Sequence, residues 1–241
     1  MKVYAITDIG RARPINEDSY YVPEEGEQYC AVADGMGGHN AGEVASALAV
    51  KVFSQYMRDA GHISARTMHA AVERANEAVY RMSRQNEGMS GMGTTFSALA
   101  ARGGTVYLAH VGDSRIYLVR RGAILQVTTD HTVVEEMVQK GMITPSQARV
   151  HPRRNLITRA LGTDERVRVD MLQLSVCPGD AFFLCSDGMT NYVEDAQILM
   201  TALSEGDWKD KLKSLVATAL ENGGGDNITA LFAVFEEDAC R

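Results

Sequence analysis

Five acidic residues stand where their carboxylates can converge. Asp8 follows the apolar run 4–7, Asp34 follows 30–33, Asp113 follows 108–112 and Asp187 follows 182–186. Asp226 follows three glycines and opens a last apolar run. A hydrophobic strand that ends in Asp-Gly delivers a carboxylate to a sheet edge. The glycine lets backbone approach closely and leaves its carbonyl free as a ligand. Any one Asp-Gly is an ordinary turn dipeptide, and Gly112-Asp113-Ser114 by itself reads as a hairpin turn. The joint pattern carries more, because clustered buried carboxylates repel one another unless a cation lies among them. Oxygen donors without paired histidine or cysteine suit Mg²⁺ or Mn²⁺ better than zinc.

A second group lies near the N-terminus: Arg13, Asn16, Glu17 and Asp18. A guanidinium holds phosphate in a planar, bidentate fork. Glu17 and Asp18 can accept hydrogen bonds from metal-bound waters. Taken alone, the group also reads as a solvated charged loop.

Elements must position these groups. Residues 3–6 and 29–33 read as short buried strands. Val44, Ala45, Leu48, Ala49, Val52, Phe53 and Tyr56 recur at helical spacing, as do Met68, Val72, Ala75, Val79 and Met82. The period then changes to strand-like runs at 96–101, 105–111 and 116–119, with Gly103-Gly104 as a hairpin turn. Residues 131–140 read as a helix closed by Gly141. Residues 144–154 are polar, basic and aperiodic after their first turn. Strands return at 172–176 and 181–185. A helix marked by Trp208, Leu212, Leu215, Val216, Ala219 and Leu220 precedes a last strand over 228–235. This order predicts a segregated α+β layering.

Composition narrows the chemistry. The 241 residues carry a formal net charge of −7, so neither nucleic acid nor an anionic membrane is a default partner. No apolar run reaches the roughly 20 residues of a membrane helix, and no secretory signal is read at the start. Cys30, Cys177, Cys185 and Cys240 form no C-x-x-C pair, which argues against a disulfide framework or a thiolate zinc site. A reducing, cytoplasmic setting is expected. With no linker, repeat or low-complexity tract, residues 1–241 read as one domain.

Six motifs occur in order: Asp8-Ile9-Gly10-Arg11-Ala12-Arg13-Pro14-Ile15-Asn16-Glu17-Asp18; Ala33-Asp34-Gly35-Met36-Gly37-Gly38-His39; Gly93-Thr94-Thr95; Val111-Gly112-Asp113-Ser114-Arg115; Cys185-Ser186-Asp187-Gly188; and Gly225-Asp226-Asn227. Together they resemble the PPM/PP2C family of metal-dependent serine/threonine protein phosphatases, its bacterial branch in particular, across nearly the whole chain. The resemblance implies a four-layer αββα sandwich of two antiparallel sheets flanked by helices, with metals in a cleft at one end. It implies that Asp34 bridges two Mn²⁺ or Mg²⁺ ions, that the Gly35 carbonyl binds one, and that Asp187 and Asp226 hold the other. Asp113 with Asp187 would form a weaker third site. Arg13 would bind the substrate phosphate, Glu17 and Asp18 would position metal waters, and Asp8 and Asn227 would support the ligands from behind. Residues 131–162 would form a flap beside the cleft. Some relatives place a histidine directly after the Asp-Gly of the second motif as a general acid. Met36 stands there in this chain, and His39 is the alternative donor.

The implied reaction is direct hydrolysis of phosphoserine or phosphothreonine on proteins by a hydroxide bridging the metals, with Arg13 offsetting phosphoryl charge. A monomer that opposes a bacterial Ser/Thr kinase is expected, its partners being that kinase and its phosphorylated substrates. Arg149, His151, Arg153 and Arg154 of the flap would meet acidic or phosphorylated surfaces, or form a solvated basic face. Three rivals are weighed. A two-metal nuclease wants a basic surface. An aspartyl-phosphate enzyme wants a D-x-D that Asp8-Ile9-Gly10 lacks. A non-catalytic phosphoprotein-binding module would lack a metal-binding aspartate, whereas every expected ligand is present.

Overall fold

The computed structural model describes residues 1–37, 41–85 and 87–236. Its elements in chain order are β1 (Lys2–Asp8), β2 (Asp18–Tyr21), β3 (Tyr29–Met36), α1 (Ala41–Ala60), α2 (Ala65–Gln85), β4 (Gly93–Thr94), β5 (Phe96–Arg102), β6 (Thr105–Val111), β7 (Arg115–Arg120), β8 (Ala123–Gln126), α3 (Val133–Gln139), α4 (Pro145–Arg149), β9 (Asp170–Ser175), β10 (Ala181–Cys185), α5 (Asp187–Thr190), α6 (Asp195–Leu203), α7 (Trp208–Glu221) and β11 (Ile228–Val234). One sheet runs β1-β11-β10-β7-β8. The other runs β2-β3-β5-β6-β9, with β4 also paired to β3. Every pairing is antiparallel.

The two-residue period of the strands sorts the core into three parts. Cys30, Val32, Leu99, Leu108, Phe182, Leu184 and Leu231 face inward and fill the space between the sheets. Their neighbours Ala31, Ala33, Ala98, Ala100 and Ala109 face outward, where their small side chains let α1 and α2 lie close. On the other sheet, Tyr117, Phe183 and Phe232 face outward against α6 and α7. The layers are therefore helix, sheet, sheet, helix, as the resemblance implies.

Parity also decides where the acids go. Asp34 shares the inward face of Cys30 and Val32, so it projects between the sheets at the end of their packed core. Asp8 shares the parity of Tyr4 and Ile6, which pack on the outer core under α7. It therefore faces away from Asp34, and its Oδ1 accepts from the Gly10 N–H at 2.8 Å.

Three expectations change. Strand β3 does not end at Ala33 but continues through Asp34 to Met36. Gly112-Asp113-Ser114 is not a hairpin turn, because β6 and β7 belong to different sheets and the turn carries the chain across the sandwich. The expected helix at 131–140 begins only at Val133, capped by the Thr132 side chain. The opening turn of the segment 144–154 is the short helix α4, started by a Thr144/Gln147 capping box with Pro145 in the first turn. Cys30 and Cys185 are buried free thiols as expected, and Cys177 is exposed. His39 and Cys240 lie outside the described residues. Among the described residues no helix is long and apolar enough to cross a membrane.

Candidate active site

A cleft of about 230 Å³ opens at the end of the inter-sheet core, lined by Arg13, Glu17, Asp34, Gly35, Met36, Asp113, Asp187, Asp226 and Asn227, with Thr95, Asn155 and Ile157 completing the wall. Each acid arrives on a different element. Asp34 comes from β3, Asp113 from the crossing between β6 and β7, Asp187 from the first turn of α5 and Asp226 from the turn before β11. Asp8 is not on the wall.

Backbone contacts hold the loop that carries Arg13. The Asn227 side chain donates to the carbonyls of Ile9 at 2.9 Å and Ile15 at 3.0 Å, and accepts from the Glu17 N–H at 2.8 Å. The Arg11 N–H donates to the Gly224 carbonyl at 2.7 Å. The Arg13 guanidinium then reaches Asp226 Oδ2 at 2.8 Å and lies 3.8 Å from Glu17. Asn227 thus works as a clamp between β11 and the Arg13 loop.

Asp18 stands directly across from Asp34 in the β2–β3 pairing. Its Oδ2 accepts from the Ser186 hydroxyl at 2.7 Å, while its buried Oδ1 has no partner. Burial first, and the charges of Asp187 and Asp226 after it, push its carboxyl up to about 7 despite the hydrogen bond from Ser186. Asp113 is pushed up to about 8 by burial and by Asp187. Asp34 is raised well above the usual carboxylate range by burial and by Asp18, Asp187 and Asp113. Asp187 is raised by burial and by Asp226, and its Oδ2 accepts from the Asn191 side chain at 3.0 Å. Four acids that cannot all ionise beside one another, one with a bare buried oxygen, form a site that lacks positive charge.

This donor set fits hard divalent cations. Among the described residues no three His, Cys, Asp or Glu side chains already gather on one point to hold an ion by themselves. A Mg²⁺-like ion does not require that, since it keeps several waters and takes one or two carboxylates. Carboxylates spread around a wet cleft, with the Gly35 backbone on its wall, meet the demand.

The residues read from the sequence as candidate ligands, namely Asp34, Gly35, Asp113, Asp187 and Asp226, all share the cleft with Arg13 and Glu17. Asp18 lies just behind it. Sequence reading missed the hydroxyls beside the acids. The Thr95 hydroxyl accepts from the Asp34 N–H, and that of Ser186 accepts from the Thr229 N–H. It also missed two buried histidines next to the crossing. His131 Nδ1 accepts from the Gly112 N–H at 3.0 Å, and its Nε2 lies 3.0 Å from Asp170. The His110 ring lies 4.8 Å from the His131 ring. Gly93-Thr94-Thr95 and Cys185-Ser186-Asp187-Gly188, present as motifs, were the available signals for the hydroxyls.

A family model described as protein phosphatase 2C matches residues 11–231. The chain is 40% identical over 235 residues to the serine/threonine protein phosphatase PstP of Mycobacterium tuberculosis, covering 97% of this chain and 45% of that protein. It thus spans less than half the length of that relative. It is 36% identical over 246 residues to the protein phosphatase PhpP of Streptococcus pneumoniae, covering 99% of this chain and 100% of that one. Among solved structures, the M. tuberculosis serine/threonine phosphatase PstP/Ppp superposes with a TM-score of 0.91 at 38% identity, covering 98% of each chain. The catalytic domain of PstP in complex with two manganese ions gives 0.86 at 36% identity, covering 96% of each. With the matched motifs supplying the walls of the cleft, the chain belongs to the protein phosphatase 2C family.

Proposed function

We propose that this protein hydrolyses phosphoserine and phosphothreonine on proteins, using divalent cations held in the acidic cleft. The observation that carries the reading is the bare, buried Oδ1 of Asp18 behind a ring of acids drawn from both sheets. Asp34 and the Gly35 carbonyl would hold one ion, Asp34, Asp187 and Asp226 the other, and Asp113 with Asp187 a weaker third. Mn²⁺ or Mg²⁺ bound there would supply Lewis acidity and a water of lowered pKa, the usual contribution of such ions to phosphoryl transfer.

The chain's own residues do the rest. Arg13 sits at the rim, half-exposed and charged, its guanidinium held by Asp226. A phosphoryl group entering the cleft would exchange for Asp226 as its partner, so that Arg13 orients the phosphoryl oxygens and offsets their charge. Glu17, lifted by burial, faces the same space and would accept hydrogen bonds from water. Asp18 would do so through its free oxygen. Met36 on the wall donates no proton, so the leaving-group acid would be water or the residue at His39. Asn155 and Ile157 bring segment 131–162 to the cleft, which supports reading it as the flap that selects substrates within a single domain spanning 1–241. A cytoplasmic monomer opposing a Ser/Thr kinase is the setting proposed.

The test is phosphate release from a phosphothreonine peptide by chelator-stripped protein, with and without Mn²⁺. Release only with Mn²⁺ supports the reading. No release with Mn²⁺ or Mg²⁺ from folded protein overturns it in favour of a module that binds phosphoprotein without turnover.

A further inference from the structure

The motif Gly93-Thr94-Thr95 has no part in the chemistry above, yet its two hydroxyls grip the central acid. The pairing register from Val32↔Ser97 to Gly35↔Thr94 sets Asp34 opposite Thr95. The Asp34 N–H donates to Thr95 Oγ1 at 2.9 Å. The Asp34 carbonyl accepts from the Thr95 N–H and from Thr94 Oγ1, each at 2.9 Å. Both backbone polar groups of Asp34 therefore end on two adjacent threonines.

Thr95 does more than close a strand pair. Its Oγ1 lies 2.6 Å from Ser114 Oγ, in the residue after Asp113. The Ser114 carbonyl in turn accepts from Ser97 Oγ at 3.0 Å. Thr95 and Ser114 are 3% and 0% exposed, so water has little access to replace either hydroxyl. Close packing fixes the same crossing. Gly112 has φ +107°, and a Cβ there would lie 2.6 Å from Thr95 Cβ. One hydroxyl thus spans from the backbone of Asp34 on β3 to the turn that carries Asp113 into the other sheet.

We infer that Thr95 is a positioning residue: its hydroxyl, through Ser114, fixes the separation between the Asp34 and Asp113 carboxylates and so their fit to divalent cations. The inference rests on the reading that these carboxylates hold cations. A hydroxyl accepts and donates at one atom, which a methyl of equal size cannot do. Groups that orient ligands in this way typically govern cation affinity by 10–100-fold.

The test is calorimetric titration of Mn²⁺ into chelator-stripped protein, with melting curves recorded in parallel. Thr95→Val, equal in size but without the hydroxyl, is expected to bind Mn²⁺ at least about tenfold more weakly. Thr95→Ser, which keeps the hydroxyl and loses the methyl, is expected to stay within about twofold of wild type. A purely structural threonine would give the reverse order of damage, in melting temperature and not in affinity. Ser114→Ala leaves the Thr95–Asp34 bonds intact and carries the test if Thr95→Val does not fold. The same weakening is expected, and the double variant should bind no more weakly than Thr95→Val. Wild-type affinity in folded Thr95→Val or Ser114→Ala, or equal weakness in Thr95→Ser and Thr95→Val, overturns the inference and leaves the proposed function standing. A wild-type protein that takes up no Mn²⁺ overturns both.

Discussion

Asp18 and Asp34 face one another across neighbouring antiparallel strands, a position in which two like charges oppose each other at side-chain contact distance. The fold tolerates this at a cost that a cation would remove. Mn²⁺ at about a hundred times its dissociation constant adds roughly 2.7 kcal/mol, or about 5–10 °C in melting temperature for a chain of this size. In Asp34→Asn that rise should vanish. The chelator-stripped variant should also melt a few degrees above chelator-stripped wild type, because an amide replaces a carboxyl whose ionisation burial and its acidic neighbours oppose. Melting curves with and without Mn²⁺ check both, and an undiminished Mn²⁺ shift in the variant would remove Asp34 from the ligand set.

Arg13 should act on substrate rather than on cations. Its guanidinium bonds Asp226 at the rim of the cleft, and a lysine there keeps the charge but loses the fork. Arg13→Lys should lower kcat/KM for a phosphothreonine peptide by about tenfold or more, with calorimetric Mn²⁺ affinity unchanged. Loss of Mn²⁺ affinity instead would make Arg13 a support for Asp226.

His110 supplies a pH dependence. Burial pushes its imidazole down to about 4, helped by His131, while Asp130, Asp170 and the Thr129 carbonyl pull weakly the other way. Between pH 6.5 and 4 the unfolded chain takes up a proton that the folded one refuses, so stability falls as pH falls through this window. From pH 7 to pH 5 the His110 share is about 2 kcal/mol. His110→Gln cannot titrate and should lose that much less over the same interval, measured by urea unfolding with chelator present. Equal losses in the two proteins would mean that His110 is already charged in the fold.

Gly35 is a position without room. A Cβ there would lie 2.1 Å from the Gly42 carbonyl oxygen and 2.6 Å from that of Glu17, both backbone atoms. Gly35→Ala must therefore move α1 away from β3 or fail to fold. A loss of about 3 kcal/mol by urea unfolding is expected, the upper end for overpacking, accompanied by loss of Mn²⁺ binding.

Much of this was legible in the sequence, and the reason is local. An apolar run followed by Asp-Gly or Gly-Asp states both a strand and an acid at its end, so Asp34, Asp113 and Asp187 could be singled out singly and joined by resemblance. Strand parity could not be read so well. Asp8 also follows an apolar run, but its parity turns it to the outer face, and nothing within residues 1–8 says which face meets the other sheet. The crossing at Gly112 reads as a hairpin because the choice between pairing and crossing depends on partners far along the chain. Strand β2 is short and polar, and it exists because β3 and α1 cover it. The roles of Thr95, Ser114 and Ser186 are those of small hydroxyl residues at long range, which no periodicity reveals.

The crossing between β6 and β7 also bears on how the protein folds. It splits the acids between two sheets, and the members at 18, 34, 113, 187 and 226 span most of the chain. Contacts of such long separation form late, after loop-closure entropy has been met elsewhere. Cations that need both sheets docked would find no foothold in the folding transition state. Added Mn²⁺ should then slow the unfolding arm of a chevron and leave the refolding arm where it was. On this view the cleft assembles last on folding and acts as a latch against unfolding.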